Sequence, residues 1–228
     1  MATAAPMDGL SHVDGVFNYL ADPTQLPAYH VNPDRSKPPE RPAQSQHSYP
    51  VYNGRNVQDQ LSLDVHGLML TKRETSVSKF YGPEEVKKVY YPEAAQLVKD
   101  MTGPSKVVVF DHNVRCAPRA KQGEAGVSSA VLFAHNDYTI QSGPIRVQDL
   151  LPAEEAEVLL QHRFCVINVW RPINVPAQDQ PLAVCDASSM DQKDLIPTDL
   201  IFEQRRLPII LSSACSISRI SSPAKPCC

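Results

Sequence analysis

Two side chains in this sequence have the types and the spacing to share a metal ion. The run Val131-Leu132-Phe133-Ala134 ends in His135-Asn136-Asp137-Tyr138-Thr139. Side chains two residues apart on an extended strand point to one face, so the imidazole of His135 and the carboxylate of Asp137 can converge on one point. A His and a carboxylate are two of the three donors of the 2-His-1-carboxylate facial triad, which leaves positions open on non-haem iron(II) for dioxygen and a co-substrate. From the residues alone, the pair reads equally as a hydrogen-bonded His/Asp couple capping a strand. A second copy, His12-Val13-Asp14, sits beside Gly15 with no apolar strand feeding it and reads as a surface coincidence.

The elements that must position such a pair are bounded by composition. A chain of 228 residues suffices for one sizeable domain, or two small ones, with a real core. Apolar content of 42% and charged content of 21% are globular values, and a formal charge of −3 gives nucleic-acid binding no electrostatic support. Twenty-one Pro against nine Gly favour short strands, loops and extended segments over long helices. No run reaches the ~20 apolar residues of a membrane span, and the N-terminus lacks the basic start and apolar core of a secretory signal. The expectation is a soluble, cytoplasmic chain without membrane contact. The six Cys show neither zinc spacing nor a disulfide framework, and no Gly-x-Ser-x-Gly elbow points to a hydrolase.

Taken in order, residues 1–15 read as disordered. Residues 23–50 carry seven prolines and read as an extended wrapping arm without regular structure. Residues 61–70 alternate and then run apolar, as a half-buried strand would. Pro83 followed by Glu84 and Glu85 opens a helix that Pro92 divides and Gly103 ends. A strand over 106–110 leads into Asp111-His112-Asn113-Val114-Arg115, and 116–129 reads as a loop. After the His135 strand come a turn at Ser142-Gly143-Pro144 and helical signals through residues 149–162. Phe164-Cys165-Val166-Ile167-Asn168-Val169-Trp170 reads as a buried strand ending at Arg171, with Asn168 and Trp170 on one face. A last strand over 181–186 precedes an acidic loop reaching Phe202. Bland alternatives stay open: Trp170 as core packing, and Asp111 with Arg115 as a surface pair.

His135-Asn136-Asp137-Tyr138-Thr139, Ser142-Gly143-Pro144, Ile167-Asn168-Val169-Trp170-Arg171-Pro172 and Pro181-Leu182-Ala183-Val184-Cys185-Asp186 are similar, in order and spacing, to the AsaB-type fungal hydroxylase/desaturase family. That family takes in gibberellin desaturase-like and cephem-methoxylase-like proteins. Phe17-Asn18-Tyr19, Asp64-Val65-His66-Gly67 and Phe110-Asp111-His112-Asn113-Val114-Arg115 also resemble it, so the likeness spans residues 16–202. The resemblance implies a mainly β protein with flanking helices, a double-stranded β-helix (jelly-roll) barrel. It also implies iron(II) and 2-oxoglutarate as cofactors, and hydroxylation or desaturation of a small-molecule substrate in fungal secondary metabolism. Within it, His135 and Asp137 are the metal ligands. Strand-end positions together with the family blocks place Tyr138 and Arg171 as catalytic residues and Arg115, Asn168 and Trp170 as cofactor-binding residues around them.

The resemblance stops after Phe202. The family pattern continues for several more strands and carries there a distal His, the third iron ligand, and an Arg that grips the far carboxylate of 2-oxoglutarate. Residues 203–228 instead hold six Ser, three of the six Cys, and no His, Asp or aromatic residue. This break predicts an aberrant tail, from a shifted or unspliced reading frame, lying outside a barrel left incomplete at its C-terminal end. His112 is the best-placed substitute ligand. A barrel that binds without catalysing is the competing function.

Overall fold

The structure is a computed structural model that describes residues 10–22, 24, 28–30, 42–177, 180–201, 206–212 and 220–222. In chain order its strands are β1 (His12–Leu20), β2 (Ala28–His30), β3 (Gln44–Asn53), β4 (Val114–Arg115), β5 (Val127–Ser128), β6 (His135–Asn136), β7 (Val184–Cys185), β8 (Leu195–Ile201), β9 (Arg206–Ser212) and β10 (Ile220–Ser222). Its α-helical segments are α1 (Leu63–His66), α2 (Pro83–Glu85), α3 (Tyr91–Thr102), α4 (Ala117–Lys121), α5 (Ser142–Leu150) and α6 (Ala153–Leu159). The chain divides into two units, one of Met1–Leu70, Leu132–Val166 and Pro181–Cys228, the other of Thr71–Val131 and Ile167–Gln180.

The first unit holds two four-stranded sheets, ordered β1-β3-β10-β7 and β2-β8-β9-β6. β1 and β3 pair antiparallel along their length, from His12 opposite Tyr52 to Leu20 opposite Gln44. Two expectations are corrected here. Among the described residues, regular structure begins at His12, inside the segment read as disordered, and the C-terminal end of the proline-rich arm enters a ten-residue strand, Gln44–Asn53. Proline is tolerated in β3 because Pro50 precedes the three residues, Val51–Asn53, that also pair with β10, so only β1 flanks it there. Tyr19 and Val51 form the core on this sheet, with Phe17, Tyr49, Ala134, Ala183 and Cys185 packed against them. The Tyr19 ring meets His47 and Tyr49 edge-on, each at 5.8 Å between centroids.

The tail also departs from its expected place. Arg206–Ser212 runs antiparallel to β8 and on its other side pairs with β6, while Ile220–Ser222 lies between β3 and β7. Leu207, Ile209, Ile210 and Leu211 are strand-forming residues, and the backbone bonds of a sheet are indifferent to whether a segment matches a family pattern. Likewise the acidic loop contains β8.

Residues 61–70 form a helical turn rather than a strand. Ser62 is its N-cap, accepting the Val65 N–H at 3.3 Å, while the Ser62 N–H donates to His66 Nδ1 at 3.1 Å. Gly67, at φ 71°, closes the turn in the left-handed region that glycine enters without strain. These local bonds outweigh the alternating pattern because His66 and Leu68 are buried by either geometry. Ser62→Ala is expected to cost about 1 kcal/mol, read as a lower urea midpoint with an unchanged slope. An unchanged midpoint would show that the cap contributes nothing.

At Ser142 the chain starts a helix where a turn was expected. Thr139 and Ser142 exchange bonds, the Thr139 N–H donating to Ser142 Oγ at 2.8 Å and the Ser142 N–H to Thr139 Oγ1 at 2.9 Å. This reciprocal cap sits one turn before Pro144, whose missing N–H costs nothing in a first turn.

In the second unit the helix expected to be interrupted at Pro92 instead continues through it, with Pro92 in the first turn of α3. α2 passes through a π turn, Val86–Tyr90, into α3, which ends on Gly103 at φ 65°. The widened turn lies where a proline cannot continue the regular ladder. The segment read as a loop holds α4 and β5, and β5 pairs in parallel with β4. Residues 106–110, read as a strand, and 164–170, read as a buried strand, form no strand, and Val108, Phe110, Phe164, Val166 and Trp170 are exposed.

Candidate metal centre

β6 is an edge strand carrying His135 opposite Leu211 of β9. The residues before it are fastened to β1: Phe133 bridges Asn18, and the Ala134 N–H donates to the Asn18 carbonyl at 3.0 Å. These bonds decide where the His135 ring sits.

His135 Nδ1 lies 2.7 Å from the Phe133 carbonyl oxygen. A carbonyl only accepts, so Nδ1 carries the hydrogen and a neutral ring presents its lone pair at Nε2. That atom lies 3.5 Å from Asp137 Oδ1, with the side chains 30% and 52% exposed. Two ligands about 2.1 Å from one ion stand about 3 to 4 Å apart. Two lone-pair atoms at this separation repel unless a proton or a cation lies between them. Among the described residues, no group of three His, Cys, Asp or Glu side chains stands together as a metal site.

Tyr138, in the same unit, accepts from Arg146 Nε at 3.2 Å through its hydroxyl, and Arg146 also reaches Asp149 at 3.8 Å. Arg146 was not singled out by sequence. Its position on a helix facing back over Tyr138 follows from the Ser142 cap and not from any motif.

Arg115, Asn168, Trp170 and Arg171 belong to the second unit, where both arginines have structural partners. Arg115 Nη1 donates to Ser128 Oγ at 2.9 Å and to the Ser129 carbonyl at 3.0 Å, tying β4 to β5. The Arg171 guanidinium lies 5.6 Å from the Phe80 ring centre and 5.7 Å from that of Tyr90, a cation beside two rings that themselves meet edge-on at 5.4 Å. Beside it, Glu93 accepts from the Thr75 hydroxyl at 2.5 Å and the Ser76 N–H at 2.8 Å. Those bonds, with Arg171 adding to them, hold its carboxyl below the usual range. Burial pushes the Tyr90 phenol up. Trp170 is 38% exposed, which removes the core-packing alternative. His112, the candidate substitute ligand, is hydrogen-bonded through Nδ1 to the Tyr91 hydroxyl at 2.9 Å.

A family model described as an oxidoreductase/YMDC permease-like domain matches residues 17–216. The chain belongs to that family. Among curated relatives, this oxidoreductase-family chain is 32% identical over 159 residues to the hydroxylase/desaturase CTB9 of Cercospora beticola, covering 65% of itself and 49% of that protein. It is 29% identical over 163 residues to the Fe(II)/2-oxoglutarate-dependent dioxygenase nvfI of Aspergillus novofumigatus, covering 66% of itself and 55% of the relative. The chain thus spans about half the length of the curated relatives it matches. A solved structure, the iron and alpha-ketoglutarate-dependent endoperoxidase NvfI, superposes with a TM-score of 0.79 at 22% identity, covering 94% of this chain and 80% of the other. The likeness shows the fold, the double-stranded β-helix expected from the sequence. Among the described residues, no helix is long and apolar enough to cross a membrane.

Proposed function

We propose that the oxidoreductase-family chain carries an iron(II) site of the hydroxylase/desaturase type, used with O2 and 2-oxoglutarate on a small organic molecule of fungal secondary metabolism. A cytoplasmic setting goes with this reading. The observation that carries it is the convergence of His135 Nε2 and Asp137 Oδ1 at 3.5 Å, with Nδ1 already committed to Phe133. One neutral nitrogen and one carboxylate oxygen suit non-haem iron(II). Those two atoms would hold the ion. Bound there, iron(II) with its co-substrates supplies the oxidising power that hydroxylation and desaturation need. The chain's own contribution is a negative charge from Asp137, a nitrogen lone pair held ready by the Nδ1 bond, and strand β6, whose pairing with β9 fixes the backbone of His135 immediately before Asp137.

A second reading, a barrel that binds without catalysing, is favoured by one observation: among the described residues, only two donors stand together. Anaerobic titration with iron(II), followed by desalting and an assay for succinate formed from 2-oxoglutarate, separates the two. The 228 residues are expected to bind the ion through His135 and Asp137, to lose much of it on desalting, and to make little or no succinate. Binding indifferent to both residues would overturn the site. Stoichiometric iron with turnover would overturn the two-donor account and call for a third ligand, with His112→Ala as the first variant to test.

A further inference from the structure

We infer that Asn18 is a positioning residue for the metal site, setting the tautomer of His135 from a strand more than a hundred residues earlier in the chain. The inference rests on the proposed iron site for its purpose, but its geometry is independent of any metal. The Phe133–Ala134 peptide joins the bonding of β1 to the His135 ring. In a trans peptide the N–H and C=O point in opposite directions. Its N–H is donated to the Asn18 carbonyl at 3.0 Å, so its carbonyl faces away from β1, where it accepts from His135 Nδ1 at 2.7 Å. The preceding peptide is held as well: Asn18 Nδ2 donates to the Leu132 carbonyl at 2.7 Å. The amide is in turn oriented by Gln46 of β3, whose Nε2 donates to Asn18 Oδ1 at 3.1 Å.

A relay therefore runs from Gln46 through the Asn18 amide to Leu132, and from the Asn18 carbonyl through one peptide plane to the imidazole. Each bond in it has one allowed direction. Gln46 fixes the amide so that its nitrogen, rather than its oxygen, meets Leu132. The Leu132 bond holds the segment in register with β1, and the register turns the Phe133 carbonyl towards the ring. Without it, Nδ1 has no fixed acceptor and either ring nitrogen can carry the hydrogen. Nε2 would then present its lone pair beside Asp137 only part of the time. Partners that fix a ligating His in this way commonly account for ten- to hundredfold in metal affinity.

The test is long-range proton–nitrogen NMR of the His135 ring in the full chain without metal, at one pH where the ring is neutral, combined with cobalt(II) titration. The parent is expected to show the Nδ1–H form predominating. Asn18→Ala, which keeps the backbone carbonyl but loses the Leu132 clamp, and Gln46→Ala, which only frees the amide, should both shift the ring towards a tautomer mixture. Both should weaken cobalt(II) binding, Asn18→Ala by about tenfold and Gln46→Ala by less. Gln46→Ala keeps the test open if Asn18→Ala fails to fold. Unchanged tautomers in a folded variant would overturn the inference whatever the metal result. Shifted tautomers in a chain whose parent takes up no cobalt(II) would leave the positioning role standing and remove the iron site instead.

Discussion

His135→Ala is expected to weaken cobalt(II) or iron(II) binding by about a hundredfold or more. The estimate follows from scale: loss of an outer partner of a metal ligand already costs ten- to a hundredfold, and here a donor atom itself is removed from a set of two. Asp137→Asn should be comparably severe, because it keeps the shape but removes the negative charge that balances the cation. The internal control is the other His-x-Asp. His12 lies on β1 with its ring tilted against Tyr52 at 5.5 Å, and His12→Ala should leave metal binding unchanged. Isothermal titration, or cobalt(II) absorbance, reads all three variants on one scale. Equal affinity in parent and His135→Ala would place the ion elsewhere.

Tyr19→Ala should be the most damaging single change to stability, at about 3–5 kcal/mol, the usual range for removing a buried aromatic side chain. Tyr19 is 1% exposed and is among the largest fully buried side chains described. Its cluster includes Ala134, so the cavity opens directly beneath the segment that carries His135. Urea denaturation should show the loss as a lower midpoint; a change below about 1 kcal/mol would mean that the site collapses around the smaller residue. The phenol adds a pH signature. Burial, and then the neighbouring Tyr49 and Cys185, raise its pKa above that of an unfolded tyrosine. A raised pKa disfavours ionisation in the folded state, so the associated stability is fully present below about pH 10 and declines as pH rises beyond it. Tyr19→Phe should flatten that alkaline decline, and an identical slope in both proteins would assign it to another group.

The sequence alone determined that the His135 and Asp137 side chains can meet, as they do at 3.5 Å. A His and an Asp two apart after an apolar run share a face wherever the chain is extended, so His135 and Asp137 were legible without coordinates. Helix boundaries at Pro83 and Gly103 were legible because proline and glycine act on their own backbone.

Tertiary structure decided everything that depends on a remote partner. Residues 106–110 and 164–170 have the apolar, β-branched composition of buried strands, yet form no assigned strand, because composition cannot name the neighbour that must supply the hydrogen bonds. Arg206–Ser212, read from the sequence as part of an aberrant tail, is a strand between β8 and β6, because those neighbours offer their backbones to it, and the family model extends over it to residue 216. Arg171 looked like a site residue at a strand end, and only the folded chain shows it lying against the Phe80 and Tyr90 rings. The His135 tautomer is the clearest case. Its ring faces a carbonyl two residues away, but that carbonyl points where it does because Asn18 holds the other side of the same peptide. A peptide plane has one orientation to give, and a bond made on β1 fixes it for a residue on β6.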